Sequence, residues 1–245
     1  MTRLATVLAL GLLTSCAAHR SSELRDPLQG FNRKIFWFND RVDTWVLEPV
    51  AKGYDQVTPD RVQHSVSNFF ANLRFPIVTL NDLLQGKLMD GGIDVGRFLV
   101  NTTVGVLGFF DPATGWHLPR HDEDFGQTLG VWGVPPGPYL VLPLLGPSSP
   151  RDALGLGVDT ATSVQTWFVD WWILGAARVF DTVNARAQAL DTVKQIKEAA
   201  IDYYAAVRNG YAQRRAALVN DEAVPTEQTQ DELYYPDSEP DSEEQ

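Results

Sequence analysis

Residues 122–152 read DEDFGQTLG, then VWGVPPGPYLVLPLLG, then PSSPRD. The central run, 131–146, is as apolar as a membrane segment, yet Pro135, Pro136, Pro138 and Pro143 remove backbone donors and break any helix. Irregular backbone placed bare in lipid leaves polar groups unpaired. The run therefore needs cover from protein, or a lipid-facing surface made by neighbouring helices. Supplying those helices is the task of the rest of the chain, and the fold class expected is mainly α. Leu140 to Leu145 could pass for a short strand, and runs rich in Val, Ile and Thr with period two are otherwise nearly absent.

Upstream, Asp26 is a good N-cap and Pro27 a good first helical residue. Leu28, Phe31, Ile35, Phe38, Val42 and Trp45 then step by three and four, and Phe36 and Trp37 widen the stripe beyond what a surface helix needs. Thr58-Pro59-Asp60 repeats the start signal, followed by Val62, Val66, Phe69, Phe70 and Leu73. Pro76 predicts a restart, with Ile77, Leu80, Leu84 and Leu88 continuing the pattern. Gly91-Gly92 predicts a turn, and a further helix runs from about Ile93 to Thr103. Gly92 and Gly96 match the small-residue spacing that permits close helix approach, but a lone match favours ordinary packing. Asp111 to Gly115 is a turn.

Downstream, Trp167, Phe168, Trp171 and Trp172 form an aromatic cluster suited either to a core or to a membrane–water boundary. A helical pattern runs from Val179 to Leu190. After Asp191-Thr192 a second continues from Val193 to about Leu218, with Lys194, Lys197, Glu198, Arg208, Arg214 and Arg215 on its other face.

The ends have a different character. Residues 1–15 carry Arg3 and an apolar run, Leu4 to Leu13, that is too short to span a bilayer. Leu13-Thr14-Ser15-Cys16 resembles a bacterial lipobox, with Cys16 the acylated residue. A plain secretory leader with an incidental cysteine is the alternative, but Cys16 is the only cysteine and a free thiol is a liability in an oxidising compartment. Residues 16–25 are a tether, 26–219 one helical domain, and 220–245 an acidic tail whose composition predicts disorder. The tail holds ten of the 31 acidic residues and no Lys or Arg, so the net charge of −11 falls to −2 for the mature body. A near-neutral body gives no case for nucleic acid as a partner.

Catalytic signatures are missing: there is no G-x-S-x-G, no phosphate loop and no dinucleotide fingerprint. Ser148 and Ser149, between prolines, are turn residues before they are nucleophiles. His117 and His121 near Asp122, Glu123 and Asp124 suggest a metal site, but Pro119 between them breaks the helical spacing that chelation uses. The expectation is therefore a protein without enzymatic activity, metal or cofactor.

Several ordered motifs together resemble one family. They are the lipobox at 13–16, DPLQGFNR at 26–33, GRFLVNTTVG at 96–105, GFFDPA at 108–113, EDFGQTLG at 123–130, GPYLVLP at 137–143 and RAQALD at 186–191. This set, covering about residues 26–218, resembles the MlaA/VacJ lipoproteins of the Gram-negative outer membrane. The resemblance implies a helical ring lying in one membrane leaflet with an amphipathic central channel. It implies an outer-membrane lipoprotein, carrying diacylglycerol and an N-acyl chain at Cys16, that removes mislocalised phospholipid from the outer leaflet. Ala17 rather than Asp after the cysteine suits outer-membrane sorting in that setting. The implied partners are outer-membrane lipid, a trimeric porin and the periplasmic carrier MlaC, with no chemistry done on the lipid.

A Gly/Pro-rich apolar segment edged by Asp124, Gln127 and Arg151 suits a path for a molecule with charged and apolar ends, and Phe36, Phe38, Asn39, Val134 and Tyr139 complete the candidate channel lining. A structural lipoprotein that only scaffolds porins, and a lipid-cleaving enzyme, are the competing functions. A continuous passage would argue against the first, and intact bound phospholipid against the second.

Overall fold

A computed structural model describes residues 25–222. The leader, Cys16 and the tail beyond Glu222 lie outside them. The described chain is mainly helical. Helix α1 (Gln29–Val42) passes through a wide π turn (Asp43–Leu47) into α2 (Glu48–Val57). Pro49 stands at the start of α2. It has no N–H for the carbonyl one turn back, which explains why the ladder loosens there. Next come α3 (Asp60–Gln85), α4 (Leu88–Thr103), a single turn α5 (Pro112–Gly115) and α6 (Phe125–Val131). A two-stranded hairpin, β1 (Leu140–Leu142) and β2 (Gly146–Ser148), precedes α7 (Pro150–Thr162) and α8 (Val164–Phe168). The last three helices are α9 (Trp171–Gln188), α10 (Leu190–Ala199) and α11 (Tyr203–Val219).

Several element boundaries differ from the sequence expectation. Asp26 does not cap α1: Leu28 holds the N-cap position, and Asp26 instead accepts from Asn32 (2.8 Å) and from the Tyr204 hydroxyl (2.5 Å). Pro76 does not restart the chain; α3 runs through it. In the same turn Gln165 donates to the Leu73 carbonyl at 2.6 Å, and α4 packs along the helix. Gly91-Gly92 is helix, not turn, and the reversal sits at Gly86, whose φ of +81° only glycine adopts readily. Gly92 and Gly96 meet nothing, so their spacing serves no close crossing. The long helix expected from Val179 begins at Trp171, and the one expected across 193–218 breaks at Ala200–Asp202.

The elements close into a circuit. Helix α1 packs on β1, which pairs with β2; β2 meets α11, α11 meets α6, α6 meets α3, α3 meets α9, and α9 returns to α2. Helix α7 joins α6 most closely: a Cβ on Gly155 would lie 2.4 Å from the Gly126 nitrogen, so the two backbones touch.

The interior of this circuit is polar and its exterior apolar. Asn32, Asn81, Asp82, Thr128, Ser149 and Asn184 are fully buried. Buried apolar side chains are few and mostly small, with Tyr139, Val141 and Tyr204 forming the single cluster of note. Large apolar residues stand outward on nearly every helix, and all seven tryptophans of the chain are exposed, from 54% at Trp132 to 84% at Trp171. In a protein surrounded by water the rule runs the other way.

Candidate functional site: a polar interior under an apolar shell

The stretch 131–146 shows how the interior is built. Its backbone has no helix to pair with, and two asparagines of α1, seven residues apart and so on one face, take the role of a neighbouring strand. Asn32 donates to the Tyr139 carbonyl at 2.9 Å and accepts from the Val141 N–H at 3.0 Å. Asn39 donates to the Leu142 carbonyl at 2.9 Å and accepts from the Leu144 N–H at 2.8 Å. Each side-chain amide satisfies one donor and one acceptor, which is how so apolar a segment avoids unpaired backbone. The Tyr139 N–H donates to the Arg25 carbonyl at 2.9 Å, and the indole of Trp132 to the Leu84 carbonyl at 3.1 Å.

A second network joins α6, α7 and α11. Asp124 caps α6 by accepting from the Gln127 N–H at 2.8 Å. Arg215 grips Asp124 with two bonds, 2.6 and 3.0 Å, and reaches Asp152 at 3.0 Å. Tyr211 donates to the other oxygen of Asp152. Burial is the largest single effect and pushes the Asp124 carboxyl up, but the hydrogen bonds and charge of Arg215 and the bonds from Gln127 together outweigh it and hold the acid below its ordinary range. A third network runs through α3: Asn81 donates to Asp159 at 3.1 Å and accepts from the Thr128 hydroxyl at 2.8 Å. Glu123 receives Gln85 at 2.8 Å and Lys87 at 2.9 Å. A fourth joins Asn184 of α9 to Tyr54 of α2 and Ser67 of α3, each at 2.9 Å.

Between α3 and α4 lies a cavity of about 50 Å³, room for about four waters. Arg97 and Asn101 hold Asp111 on one side of it, at 2.7 and 2.8 Å. His121, from the loop, meets Asp94 at 3.1 Å; that bond raises its pKa above the ordinary histidine value, against a smaller opposing effect of burial. One turn along α3, Asp82 is fully buried, and among the described residues no donor reaches either oxygen. Burial first, and the facing carboxylates Asp94 and Glu123, push its pKa to about 7.

The candidate lining residues lie in different surroundings. Tyr139, Gln127 and Arg151 are buried within the fold and present no surface to a passage: Tyr139 packs on Tyr204 and Tyr211, Gln127 donates to the Asp122 carbonyl, and Arg151 pairs with Asp152 at 3.0 Å. Asn39 and Asp124 are the structural groups described above. Phe36 is half-buried, edge-on to Tyr203 and Tyr204. Phe38 and Val134 are exposed. His117 adopts a φ of +62° in the loop, and among the described residues no group of three acidic, histidine or cysteine side chains is arranged to hold a metal. Asn32, Asn81, Asp82, Asn184 and Arg97 escaped the sequence analysis, although Asn81, Asp82 and Gln85 mark a polar stripe at helical spacing on α3.

The class so defined is a mainly helical domain with a hydrogen-bonded polar interior and an apolar exterior. Residues 24–218 match the family described as MlaA lipoprotein, and the chain belongs to that family. It is 35% identical over 225 residues to the intermembrane phospholipid transport system lipoprotein MlaA of Escherichia coli K12, covering 88% of each chain. The protein of that name from Haemophilus influenzae is 35% identical over 231 residues, 90% of this chain and 91% of that one. A solved chain, described under the structural basis for maintenance of bacterial outer membrane lipid asymmetry, superposes with a TM-score of 0.72 at 35% identity; the match covers 79% of this chain and 98% of that one.

Proposed function

We propose that this chain is an outer-membrane lipoprotein that moves mislocalised phospholipid out of the outer leaflet and so maintains lipid asymmetry. The named relatives support the transport role. The observation that carries it in this molecule is the inverted distribution of side chains: polar groups within, most of them hydrogen-bonded, and tryptophan and leucine outside. Among the described residues no helix is long and apolar enough to cross a membrane. A body with an apolar shell and no spanning helix rests in one leaflet. There its polar interior can admit a headgroup that lipid tails exclude, with Phe38 and Val134 as the lining residues that present a surface. A trimeric porin and a soluble periplasmic carrier, MlaC, complete the proposal as the proteins that hold it in place and receive the lipid. It does no chemistry on the lipid.

Two experiments bear on this. In liposomes whose acyl chains carry bromine, tryptophan emission of the anchored protein should be quenched, with Trp167, Trp171 and Trp172 giving much of the loss. Phe substitution at those three positions should remove that part. Undiminished emission from protein that stays bound would place the body in water and remove the basis for direct extraction. Anchoring itself is expected at Cys16, because stable attachment takes more than one acyl chain. Cys16→Ala should block lipoprotein maturation, and an unmodified thiol in wild-type protein would sink that assignment.

A further inference from the structure

The cavity between α3 and α4 contains two groups that the fold leaves unused. Its walls come from Asn68, Asn72 and Phe75 on α3 and from Asp94, Arg97 and Phe98 on α4, and the loop after α5 adds Arg120 and His121. Most of its polar side chains are already occupied. Arg97 and Asn101 hold Asp111, His121 meets Asp94, and Asn72 donates to the Thr102 hydroxyl at 3.0 Å. Two are not. The Asn68 amide is half-buried, and among the described residues neither it nor the Arg120 guanidinium finds a hydrogen-bond or ion-pair partner. The charge balance makes this informative. Each carboxylate in the wall has a cationic or hydrogen-bonding partner of its own, Asp111 with Arg97 and Asp94 with His121. Arg120 is therefore a surplus cation beside a recess with neutral donors. The rings of Phe75 and Phe98, stacked at 4.3 Å, supply an apolar wall to the same recess.

A guanidinium, a free amide and an apolar wall around a few waters' worth of space are complementary to an anionic phosphate attached to something apolar. We propose that this cavity receives the phosphate of a phospholipid headgroup, with Arg120 and Asn68 donating to its oxygens and the Phe75–Phe98 pair lying against the glycerol end. The inference rests on the phospholipid-transport function proposed above and adds to it a place and two donors.

The test measures binding to detergent-solubilised, full-length protein by calorimetry, using dihexanoyl phosphatidylglycerol, dihexanoylglycerol and inorganic phosphate. Arg120 is exposed and unbonded, so Arg120→Gln should fold as the parent does; Asn68→Leu provides a second variant of similar size. Each should weaken the phospholipid by about tenfold, equivalent to about 1.4 kcal/mol, while leaving dihexanoylglycerol unchanged. Parental affinity for the phospholipid in both variants would overturn this site and leave transport standing. A wild-type protein that binds no phospholipid would overturn the site and the transport function together. Inorganic phosphate binding as tightly as the lipid, with the same dependence on Arg120, would show a free-anion site and overturn the headgroup assignment.

Discussion

Arg215→Met should lower folding stability by about 3–5 kcal/mol, the range for removing one partner of a buried ion pair. Arg215 is the only cation bonded to both Asp124 and Asp152 among the described residues, and its side chain is 14% exposed against 27% and 11% for the acids. With the guanidinium gone, Asp124 would lose its counter-charge, and among the described residues Arg151, paired with Asp152, would be the one cation left bonded to two largely buried carboxylates. Asp124 would keep its bond from the Gln127 N–H, and Asp152 its bonds from Arg151 and Tyr211. Those bonds do not neutralise the pair. The consequence is local in chemistry but wide in effect, because this is where α11 meets α6 and α7. Denaturant unfolding in detergent checks it, as a lower midpoint with an unchanged slope. Adding Asp152→Asn to the Arg215→Met background should recover part of the loss, since the damage comes from uncompensated charge rather than lost volume. A loss under about 1 kcal/mol would put this network in the class of surface pairs and refute its role in closing the circuit. The pH dependence has a definite sign. Asp124 has a depressed pKa in the fold, so its contribution is present above the ordinary carboxylate range and is lost as pH falls through the folded value.

Asp82→Asn should do the opposite and stabilise the protein, but only above about pH 4, with the full gain at neutral and alkaline pH. The folded pKa of Asp82 is pushed to about 7, chiefly by burial and then by Asp94 and Glu123. A raised acid holds its proton more tightly in the folded state. Its favourable contribution is therefore complete below the unfolded value and declines as pH rises, until the folded carboxyl has ionised near 7. The fully developed penalty is at most about 4 kcal/mol, because a tenfold change in acidity corresponds to about 1.36 kcal/mol. Asparagine cannot ionise, and its amide can donate toward the Asp94 carboxylate. The variant should gain on the parent between about pH 4 and pH 7, remain ahead at pH 8, and lose the advantage below pH 4. Melting temperatures measured across that span would show a parental curve that falls with pH and a flatter variant curve. Equal slopes would mean that Asp82 already finds a donor in solution. Gly91, whose added Cβ would lie 3.3 Å from the Asp82 Cβ, leaves little room for that side chain to move away.

The amino-acid sequence by itself determined the helical character, the periods of the stripes, the irregular and briefly extended course of residues 131–146, and the motifs that place the chain among the MlaA lipoproteins. It singled out Asp124 only as a candidate lining residue at the edge of an apolar run; that Asp124 caps α6 and pairs with Arg215 came from the tertiary structure. Periodicity did not say which side of a helix is the inside. A stripe such as Leu80, Leu84 and Leu88 has the same spacing whether it faces a core or a lipid tail; here it faces out, and Asn81 and Asp82 face in. Composition is equally silent, because the number of apolar residues is the same in either arrangement. Tertiary structure decided the matter by bringing Asn32, Asn81 and Asn184, remote in sequence, to partners up to 130 residues away. A buried amide costs free energy unless its donors and acceptors are met. That condition belongs to pairs of distant side chains, so no local window of sequence contains it.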